Sequence, residues 1–561
     1  MGNDLIYFDV SRLDWNRVFL DMYIDSNYTG TVDFELELFT FKKNNGYKSI
    51  DAIDVKKKIK IKSEKISDDK FKFTFNLAAI DGRSFLDNGI WRVVAIVGDK
   101  RFTCNVKNEL AYSFDDLSRI FKYSGGKYAY NISFNTFNDN DKNLVFLIES
   151  YFRKENKKWN KRNYIEEAET ISGKFRDFYK TIVVSLIKVF YCFWEKLSFK
   201  RGKNILFMSE TKDFLWGNLL YIDRRLKERQ LDKEYNISYS FRKAVGHKNS
   251  ILSWVKLVFL LSRQDYIFVD DYVPILGFLN LSKRTKLIQV WHAGVGFKSV
   301  GYSRFGKEGS PHPTESCHKK YDYALVGSEQ LKHVYAEVFG IEEEAFLSVG
   351  MPRLDGFLDE EKISSFRDEF YETYPLLKNK KIIMFAPTFR GAGQKIAYYN
   401  YDWLDLDALA ELCGDEYVFL IKMHPFIQEK IEIPEKYKDV IIEFSSFKNI
   451  NDLYYVTDLL ITDYSSNYYE YALMRKPVVF YTPDRELYEI SRGVHRSIKD
   501  SAPGKVCDTF EDLINSIKNE DYEFDKTIEF IEENFSGYAG NASDKVIDLV
   551  LLQDNNRTEI I

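Results

Sequence analysis

Hydrophobic and polar positions alternate in short runs through the first part of the chain. Four of these runs, separated by turns rich in Asn, Gly and Asp, are VDFELELF, KIKIKSEKI, KFKFTFNLA and WRVVAIV. Alternation with period two places every second side chain on one face of a strand. Residues 1–112 are therefore predicted to form an antiparallel, β-sandwich-like accessory domain. Its role is open between a packing accessory and a module that binds carbohydrate or polymer.

Helical spacing replaces this alternation between residues 113 and 200. A basic run occupies residues 152–162, and the apolar stretch 182–194 is interrupted only by Ser185 and Lys188. Basic residues flank that stretch at Lys174, Arg176, Lys180, Lys196, Lys200, Arg201 and Lys203. It is too short to span a bilayer, but aromatic side chains beside cations suit a helix lying in an anionic membrane surface. Residues 113–200 are thus predicted to be a helical, membrane-contacting connector, with a buried linker helix as the alternative.

Apolar runs alternate with helical segments from residue 201 onward. The first series is NILFM, YIFVDDY, LIQVWH, YALVGS and LSVGMPRLD, and the second is IIMFAPTF, YVFLIKMHP, VIIEF, DLLITDYSS and PVVFYTP. Strands that alternate with helices predict parallel sheets with helices on both faces. The predicted fold class is α/β, with Rossmann-like domains at 201–378 and 379–561 that face each other across a cleft.

Composition narrows the class of protein. Of the 561 residues, 45% are hydrophobic and 29% are charged, which is typical of a globular chain. A net charge of -5 argues against nucleic-acid binding driven by overall charge. The five cysteines are widely spaced, so neither a disulfide framework nor a zinc site is predicted. The N-terminus carries no secretory signal, and any membrane contact is expected at the cytoplasmic face, as a peripheral protein.

Two histidines fall at predicted strand ends, one in each α/β half. His292 follows LIQVW and precedes a glycine-rich turn, whereas His424 is followed by Pro425, which stops its strand. Ligands bind at the carboxyl ends of strands in open α/β sheets, so both imidazoles are candidate catalytic groups at one cleft. For His292, beside a tryptophan, the alternative is a satisfied core residue.

Ser465 and Ser466 stand where a strand passes into a helix. Free backbone N–H groups at such a start form an anion site suited to a phosphate, although plain helix capping requires the same residues. Arg390 and Arg492 are the cations predicted to contact a diphosphate. The pair Asp270–Asp271 is only weak evidence for a metal site. No cofactor is firmly predicted, and a divalent cation stays open.

Six segments together resemble a known family. WHAGVGFKSVG, VGMPRLD, FAPTFRG, KMHPF, ITDYSSNYYEYALMRKPVVFY and a following RG occur in the order and spacing of the CDP-glycerol glycerophosphotransferases, the teichoic-acid polymerases and primases. The resemblance covers about residues 200–550. It implies a GT-B-like fold and transfer of a polyol phosphate from its CDP carrier to a hydroxyl of a lipid-linked teichoic-acid or capsule-type polymer, with release of CMP, at the inner membrane face.

The resemblance also implies roles for single residues. His292 matches the histidine proposed as the base on the acceptor hydroxyl, and His424 matches one that contacts the donor diphosphate. Ser465 and Ser466 match phosphate-binding serines, and Glu470, which matches an acidic residue on the helix that follows them, is predicted with them to be a donor-binding residue. The first motif is Trp-His-Ala-Gly where many members have Trp-His-Gly-Thr-Pro, which resembles some ribitol-phosphate and capsule enzymes. The donor is therefore open between CDP-glycerol and CDP-ribitol.

Two other functions remain compatible with these patterns. A GT-B glycosyltransferase that uses a nucleotide sugar needs the same fold and the same phosphate site. A catalytically inactive protein that binds a surface polymer through residues 1–112 is the third possibility. The favoured hypothesis has three partners: a CDP-polyol, a lipid-linked acceptor and an anionic membrane surface.

Overall fold

Three β-sheets organise the chain. The computed structural model describes residues 6–42, 50, 52–126, 128–138, 144–154, 171–198, 202–242, 250–294, 297, 299–304, 311–313, 315–391, 397–491, 493–494, 496–535 and 540–552. Within these ranges the first sheet has 12 strands, and the other two have 6 strands each. Parallel strands alternate with helices in the second and third sheets, as the sequence predicted.

The first sheet encloses an apolar core. Its strands are β1 Phe8–Asn16, β2 Phe19–Ser26, β3 Asp33–Phe41, β4 Ile53–Ile61, β5 Glu64–Ser67, β6 Lys70–Asn76, β7 Gly89–Val97, β8 Lys100–Thr103, β9 Asn105–Val106, β10 Arg119–Tyr123, β11 Tyr128–Asn138 and β12 Leu144–Lys154. The main order is β4-β3-β7-β12-β9-β1-β2-β6-β5, and β11 joins β10 to β12. Every second side chain points inward, so that Phe34 meets Phe73 at 4.7 Å between ring centroids. Trp91 is fully buried in the same core.

Strands rather than helices occupy much of the predicted connector. The sheet continues through β12 to Lys154, so the boundary predicted at residue 112 was wrong. Residues Tyr130, Ile132 and Phe134 alternate inward along β11, but the basic run that follows obscured this period in the composition. The helices here are α1 Asn108–Ala111, α2 Phe114–Leu117 and α3 Ile171–Lys196. Of the helices described, none is both long and apolar enough to cross a bilayer.

The first α/β unit is built on a six-stranded parallel sheet. Its strands are β13 Asn204–Ser209, β14 Asn236–Phe241, β15 Tyr266–Val269, β16 Lys286–Gln289, β17 Tyr323–Leu325 and β18 Phe346–Leu347, in the order β14-β13-β15-β16-β17-β18. Its helices are α4 Gly217–Glu228, α5 Ile251–Leu261, α6 Pro274–Phe278 and α7 Lys332–Phe339. Because β15 and β16 are neighbours, the residues that follow them meet at one edge of the sheet.

The second α/β unit follows the connecting helix α8, Glu360–Thr373. Its strands are β19 Lys381–Phe385, β20 Tyr417–Ile421, β21 Ile441–Glu443, β22 Leu459–Thr462, β23 Val478–Tyr481 and β24 Lys505–Cys507. Its helices are α9 Leu406–Cys413, α10 Ile450–Leu453, α11 Asn467–Ala472, α12 Arg485–Ser491, α13 Ile498–Ser501, α14 Phe510–Lys518 and α15 Phe524–Phe535. The order β21-β20-β19-β22-β23-β24 reverses between β19 and β22. Ligands of such sheets bind beyond the carboxyl ends of the two strands at the reversal.

The last described helix returns to the first unit. Helix α16, Ala542–Ile547, lies against α4, where Arg225 donates from Nε to Asp544 at 2.9 Å. Val546 and Ile547 are buried in the apolar cluster of the first parallel sheet. The predicted domain 379–561 therefore includes a segment that packs on the other unit, because its apolar face is buried there.

Candidate active site

A strained turn presents His292 just beyond β16. Trp291 has φ +49°, a left-handed conformation that bulky residues rarely adopt. Its N–H donates to the Gln289 side chain at 2.8 Å, and Asn218 on α4 donates to the carbonyls of Val290 and Trp291 at 2.8 and 2.9 Å. These bonds hold a turn in which Trp291 is buried while the His292 side chain is 52% exposed.

Two aspartates lie beside the His292 ring because they follow the neighbouring strand β15. Nδ1 is 3.4 Å from the carbonyl oxygen of Asp270 and 4.0 Å from Oδ2 of Asp271. Burial raises the pKa of the Asp270 carboxyl to about 6. Within the described ranges no three His, Cys, Asp or Glu side chains are grouped closely enough to hold a metal ion. The geometry thus relates this pair to His292, a relation that the sequence analysis missed.

His424 lies at the carboxyl edge of the second sheet, after β20. Its ring is flanked by Phe389 and Phe426, with ring centroids 4.8 and 4.6 Å away. The Phe426 N–H donates to Nδ1 of His424 at 3.2 Å. A neutral imidazole that accepts at Nδ1 carries its proton on Nε2.

The Asp463–Asn467 loop occupies the strand reversal between β19 and β22. The Asp463 carboxylate accepts the backbone N–H groups of Thr388 at 2.7 Å and Tyr464 at 2.6 Å. Ser465 and Ser466 are partly exposed on this loop. The Asn467 N–H donates to Ser465 Oγ at 3.4 Å, whereas the Ser466 side chain makes no capping bond to α11. The two hydroxyls therefore lie where a ligand of this sheet is expected.

Arg390 binds two carboxylates within the second unit. It is buried, and its guanidinium donates to both oxygens of Asp484 at 2.7 and 2.8 Å and to Asp463 at 2.9 Å. The rings of Tyr464 and Tyr488 also pack against it. The guanidinium is thus already engaged by two carboxylates, and the diphosphate contact of Arg390 stays a prediction. Arg492, the other predicted cation, lies outside the described residues.

Glu470 is also buried, and its charged partner is an arginine. Its carboxylate pairs with Arg353 of the first unit, so the ion pair joins the two units. Burial raises the pKa of Glu470, and the Arg353 charge opposes that rise. The backbone N–H of Arg353 donates to Asn218 at 3.0 Å, the same residue that holds the Trp291 turn. Glu470 therefore takes part in the contact between the two units, and its predicted place among the donor-binding residues stays a prediction.

A tyrosine of the second unit packs against the first unit next to the segment that carries His292. Tyr469 on α11 lies against Gly294 and Gly327 of the first unit, where a Cβ on either glycine would come within 2.3 Å of the tyrosine. Only glycine leaves room for this contact. We call it the Tyr469 seam. It places the helix that begins after Ser466 directly against the segment that carries His292.

These residues fall inside a match to a known protein family. The model of the CDP-glycerol:poly(glycerophosphate) glycerophosphotransferase family matches residues 189–552. The chain belongs to this family. The resemblance inferred from six ordered segments is thereby confirmed, and with it the predicted class of enzyme, a CDP-polyol phosphotransferase.

Curated relatives extend the match beyond the two α/β units. The teichoic acid ribitol-phosphate polymerase TarL of Staphylococcus aureus is 31% identical over an alignment of 581 positions, which covers 98% of this chain and 99% of the relative. The ribitol-phosphate polymerase TarK of the same organism is 37% identical over 363 residues, 64% of this chain and 71% of the relative. Other relatives include teichoic acid glycerol-phosphate primases.

Solved structures share the architecture. The wall teichoic acid polymerase TagF superposes with a TM-score of 0.51 at 22% identity, and the match covers 68% of this chain and 98% of that chain. At this identity the likeness supports the mixed α/β fold alone. The site residues are therefore assigned from the geometry of this chain.

The Tyr469 seam predicts that Gly294→Ala is destabilising. The new methyl group would clash with the tyrosine ring, and overpacking of this kind costs about 1–3 kcal/mol. We expect a lower midpoint in urea unfolding and a loss of activity. In Gly294→Ala/Tyr469→Leu the smaller partner should recover part of the lost activity relative to Gly294→Ala alone. A Gly294→Ala enzyme as stable as wild type would contradict the close contact.

The raised pKa of Asp270 predicts that the stability of Asp270→Asn relative to wild type increases as the pH rises. Between the unfolded pKa near 3.8 and the folded pKa of about 6, the folded chain binds the proton more tightly, so stability falls as pH rises. Above pH 6 the ionised, buried carboxylate costs up to about 3 kcal/mol. The melting temperature of Asp270→Asn relative to wild type should therefore rise between pH 4.5 and 7. The exposed Asp402→Asn is the control, and parallel curves for both variants would refute the assignment.

Proposed function

We propose that the chain transfers ribitol phosphate from CDP-ribitol to a hydroxyl at the end of a lipid-linked, teichoic-acid-type polymer and releases CMP. The observation that carries this proposal is the Tyr469 seam. It joins Gly294, two residues after His292, to the helix that begins after Ser466. A candidate base on one unit and a candidate phosphate loop on the other thus flank one junction, in a GT-B-like arrangement.

The donor lies on the second unit in this proposal. Its diphosphate is received by the Ser465 and Ser466 hydroxyls at the strand reversal, and its cytidine rests on the same sheet edge. Nε2–H of His424 supplies a further donor to the phosphate oxygens. Helix α11 has 6 residues, so its dipole adds little and the directed hydrogen bonds carry the binding.

His292 acts on the acceptor. Nε2 removes the proton of the acceptor hydroxyl, whose oxygen attacks the β-phosphorus of the donor. The new P–O bond forms as the bond between that phosphorus and the oxygen bridging to CMP breaks, and the electron pair leaves with CMP. His424 stabilises the charge that develops on the phosphate oxygens. Asp271 and the Asp270 carbonyl hold the opposite ring nitrogen of His292.

Ribitol is favoured over glycerol on two grounds. TarL and TarK are both ribitol-phosphate polymerases, and TarL matches this chain over almost its whole length. The Trp-His-Ala-Gly form of the first motif resembles that of some ribitol-phosphate enzymes. Because glycerol-phosphate primases are also among the relatives, CDP-glycerol is the alternative donor.

The test is CMP release from a panel of CDP-ribitol, CDP-glycerol and nucleotide sugars, with a lipid-linked acceptor, with and without divalent cations. We expect CDP-ribitol to be the preferred donor. His292→Ala should lower kcat by about 10²–10⁴-fold through loss of the base. His424→Ala should lower it by about 10²–10³-fold through loss of charge stabilisation.

The exposed His333→Ala on α7 is the matched control and should retain wild-type turnover. A wild-type enzyme that releases no CMP from any CDP-polyol would refute the proposal. So would near-normal turnover in both His292→Ala and His424→Ala. Preference for a nucleotide sugar would favour the glycosyltransferase alternative.

We further propose that α3 and α5 dock on the anionic, cytoplasmic face of the cell membrane. The two helices line a groove of about 950 Å³ whose walls are apolar, including Leu186, Val189 and Trp254. Leu186 is 63% exposed and Val189 is 67% exposed, an unusual arrangement for neighbouring apolar side chains.

Lysines are also exposed on these two helices, at positions 188, 196 and 256. Cations around an apolar surface suit insertion among anionic headgroups. Lys200 and Arg201, two of the flanking cations predicted earlier, lie outside the described residues.

Sedimentation with liposomes tests the docking proposal. Binding should require anionic lipid and weaken with salt. Leu186→Asn should reduce partitioning by at least about tenfold because a buried leucine contributes about 1.5–3 kcal/mol. Leu376→Asn, at another exposed leucine in a turn after α8, is the control and should bind as wild type does. Binding that is indifferent to anionic lipid and to Leu186→Asn would exclude docking through this surface.

A further inference from the structure

One arginine of the N-terminal sheet reaches both α/β units. Arg17 lies in the turn between β1 and β2 with φ +60°, an unusual backbone for a long side chain. Its Nε donates to Glu337 on α7 at 2.6 Å, and its Nη2 donates to the Ser303 carbonyl at 2.9 Å, both in the first unit. Its Nη1 donates to the Val494 carbonyl of the second unit at 3.0 Å. The rigid guanidinium fork thus fixes three segments relative to one another.

The contacted segments lead directly to the candidate active site. Ser303 belongs to the turn Gly301–Arg304, which follows the His292 segment. On the second unit, Arg496, two residues after Val494, donates to the Tyr468 hydroxyl at 2.8 Å. Tyr468 lies on α11, in the first turn after Ser466. Arg17 therefore contacts a turn that follows the proposed base along the chain and a segment that contacts the helix after the proposed phosphate loop.

Arg17 lies at the wall of a cavity where the three parts of the chain meet. The cavity has a volume of about 750 Å³ and is lined by the N-terminal sheet and by both α/β units. Glu337 is buried, and burial raises the pKa of its carboxyl to about 6 against the pull of the Arg17 charge. The carboxylate and the two carbonyls thus surround a single cation at the edge of this cavity.

We propose that Arg17 is a positioning residue for the transfer reaction, which sets the placement of the His292 segment relative to the Ser465–Ser466 loop. The inference rests on the proposed function for its kinetic consequence. It gives the N-terminal sheet a part in catalysis, although no side chain of that sheet reacts. Loss of the fork should misplace the two halves of the site without removing a reacting group.

Arg83 provides a matched control within the same sheet. It also has a left-handed backbone, with φ +65°, and pairs with a glutamate of the first unit, Glu342, at 2.7 Å. Its remaining guanidinium contact is the Tyr321 carbonyl, also in the first unit. The described contacts of the Arg83 side chain thus resemble those of Arg17 in kind but do not reach the second unit.

The experiment compares Arg17→Met/Glu337→Gln with Arg83→Met/Glu342→Gln in the full chain. Each double variant removes a whole ion pair and so avoids leaving a buried, unpaired carboxylate. We measure kcat and KM for CDP-ribitol, the melting temperature, and hydrogen–deuterium exchange. The Arg17 pair should lower kcat by about ten- to hundredfold, while the Arg83 pair should keep wild-type kcat at a similar melting temperature. Arg17→Lys, which keeps the charge but loses the fork, should recover only part of kcat.

Exchange provides a readout that needs no substrate. The Arg17 pair should speed exchange in residues 299–304 and 493–503, whereas the Arg83 pair should leave both segments unchanged. Equal kcat in the two double variants, or unchanged exchange in the Arg17 pair, would overturn the positioning role. If wild type releases no CMP, the proposed function fails, and the exchange comparison alone then decides whether Arg17 holds the units together.

Discussion

The placement of the whole site depends on the ring of Tyr469 packing where two glycines leave room for it. The carboxyl edges of two separate sheets meet only if something crosses between them without pushing them apart. Gly294 and Gly327 leave space for the ring, and the Arg353–Glu470 ion pair is a second contact that orients the two units. A side chain larger than hydrogen at either glycine would separate the segment bearing His292 from the helix after Ser466. The seam thus constrains how the segment that carries His292 faces the helix after Ser466.

Buried ion pairs recur at each point where segments of this chain must be oriented. Arg390 joins Asp463 to Asp484, Arg353 joins the two units, and Arg17 joins the N-terminal sheet to both. Such pairs contribute little net stability, because desolvation offsets much of their attraction. Their value here is directional, since a fork with fixed donors is satisfied in one arrangement only. The Asp463 carboxylate is an example. It accepts a bond from Arg390 and also accepts the backbone N–H groups of Thr388 and Tyr464, the second of which lies in the proposed phosphate loop.

The sequence predicted the parts of the site that depend on local pattern. His292, His424, Ser465 and Ser466 follow apolar strands, and strand ends can be recognised without knowing which strands are neighbours. The roles of Arg390 and Glu470 could not be predicted in this way, because each is decided by a partner distant along the chain. The relation of Asp271 to His292 likewise needs the order of β15 and β16. The strands of residues 119–154 were missed for a different reason, since a strongly basic segment follows them and outweighed their alternation.

The interface between the N-terminal sheet and the first α/β unit supports the interpretation of that sheet as a packing accessory. Lys319 of the first unit is buried between the rings of Phe85 and Tyr302, at 4.6 and 4.7 Å, and its ammonium donates to two backbone carbonyls. Burial lowers the pKa of this lysine to about 7. Both acceptors, the carbonyls of Ala78 and Arg83, lie in the connection between β6 and β7, so these bonds join the N-terminal part of the chain directly to the first unit. The N-terminal sheet and the first unit thus share a buried interface, and Arg17 lies where the second unit meets both of them.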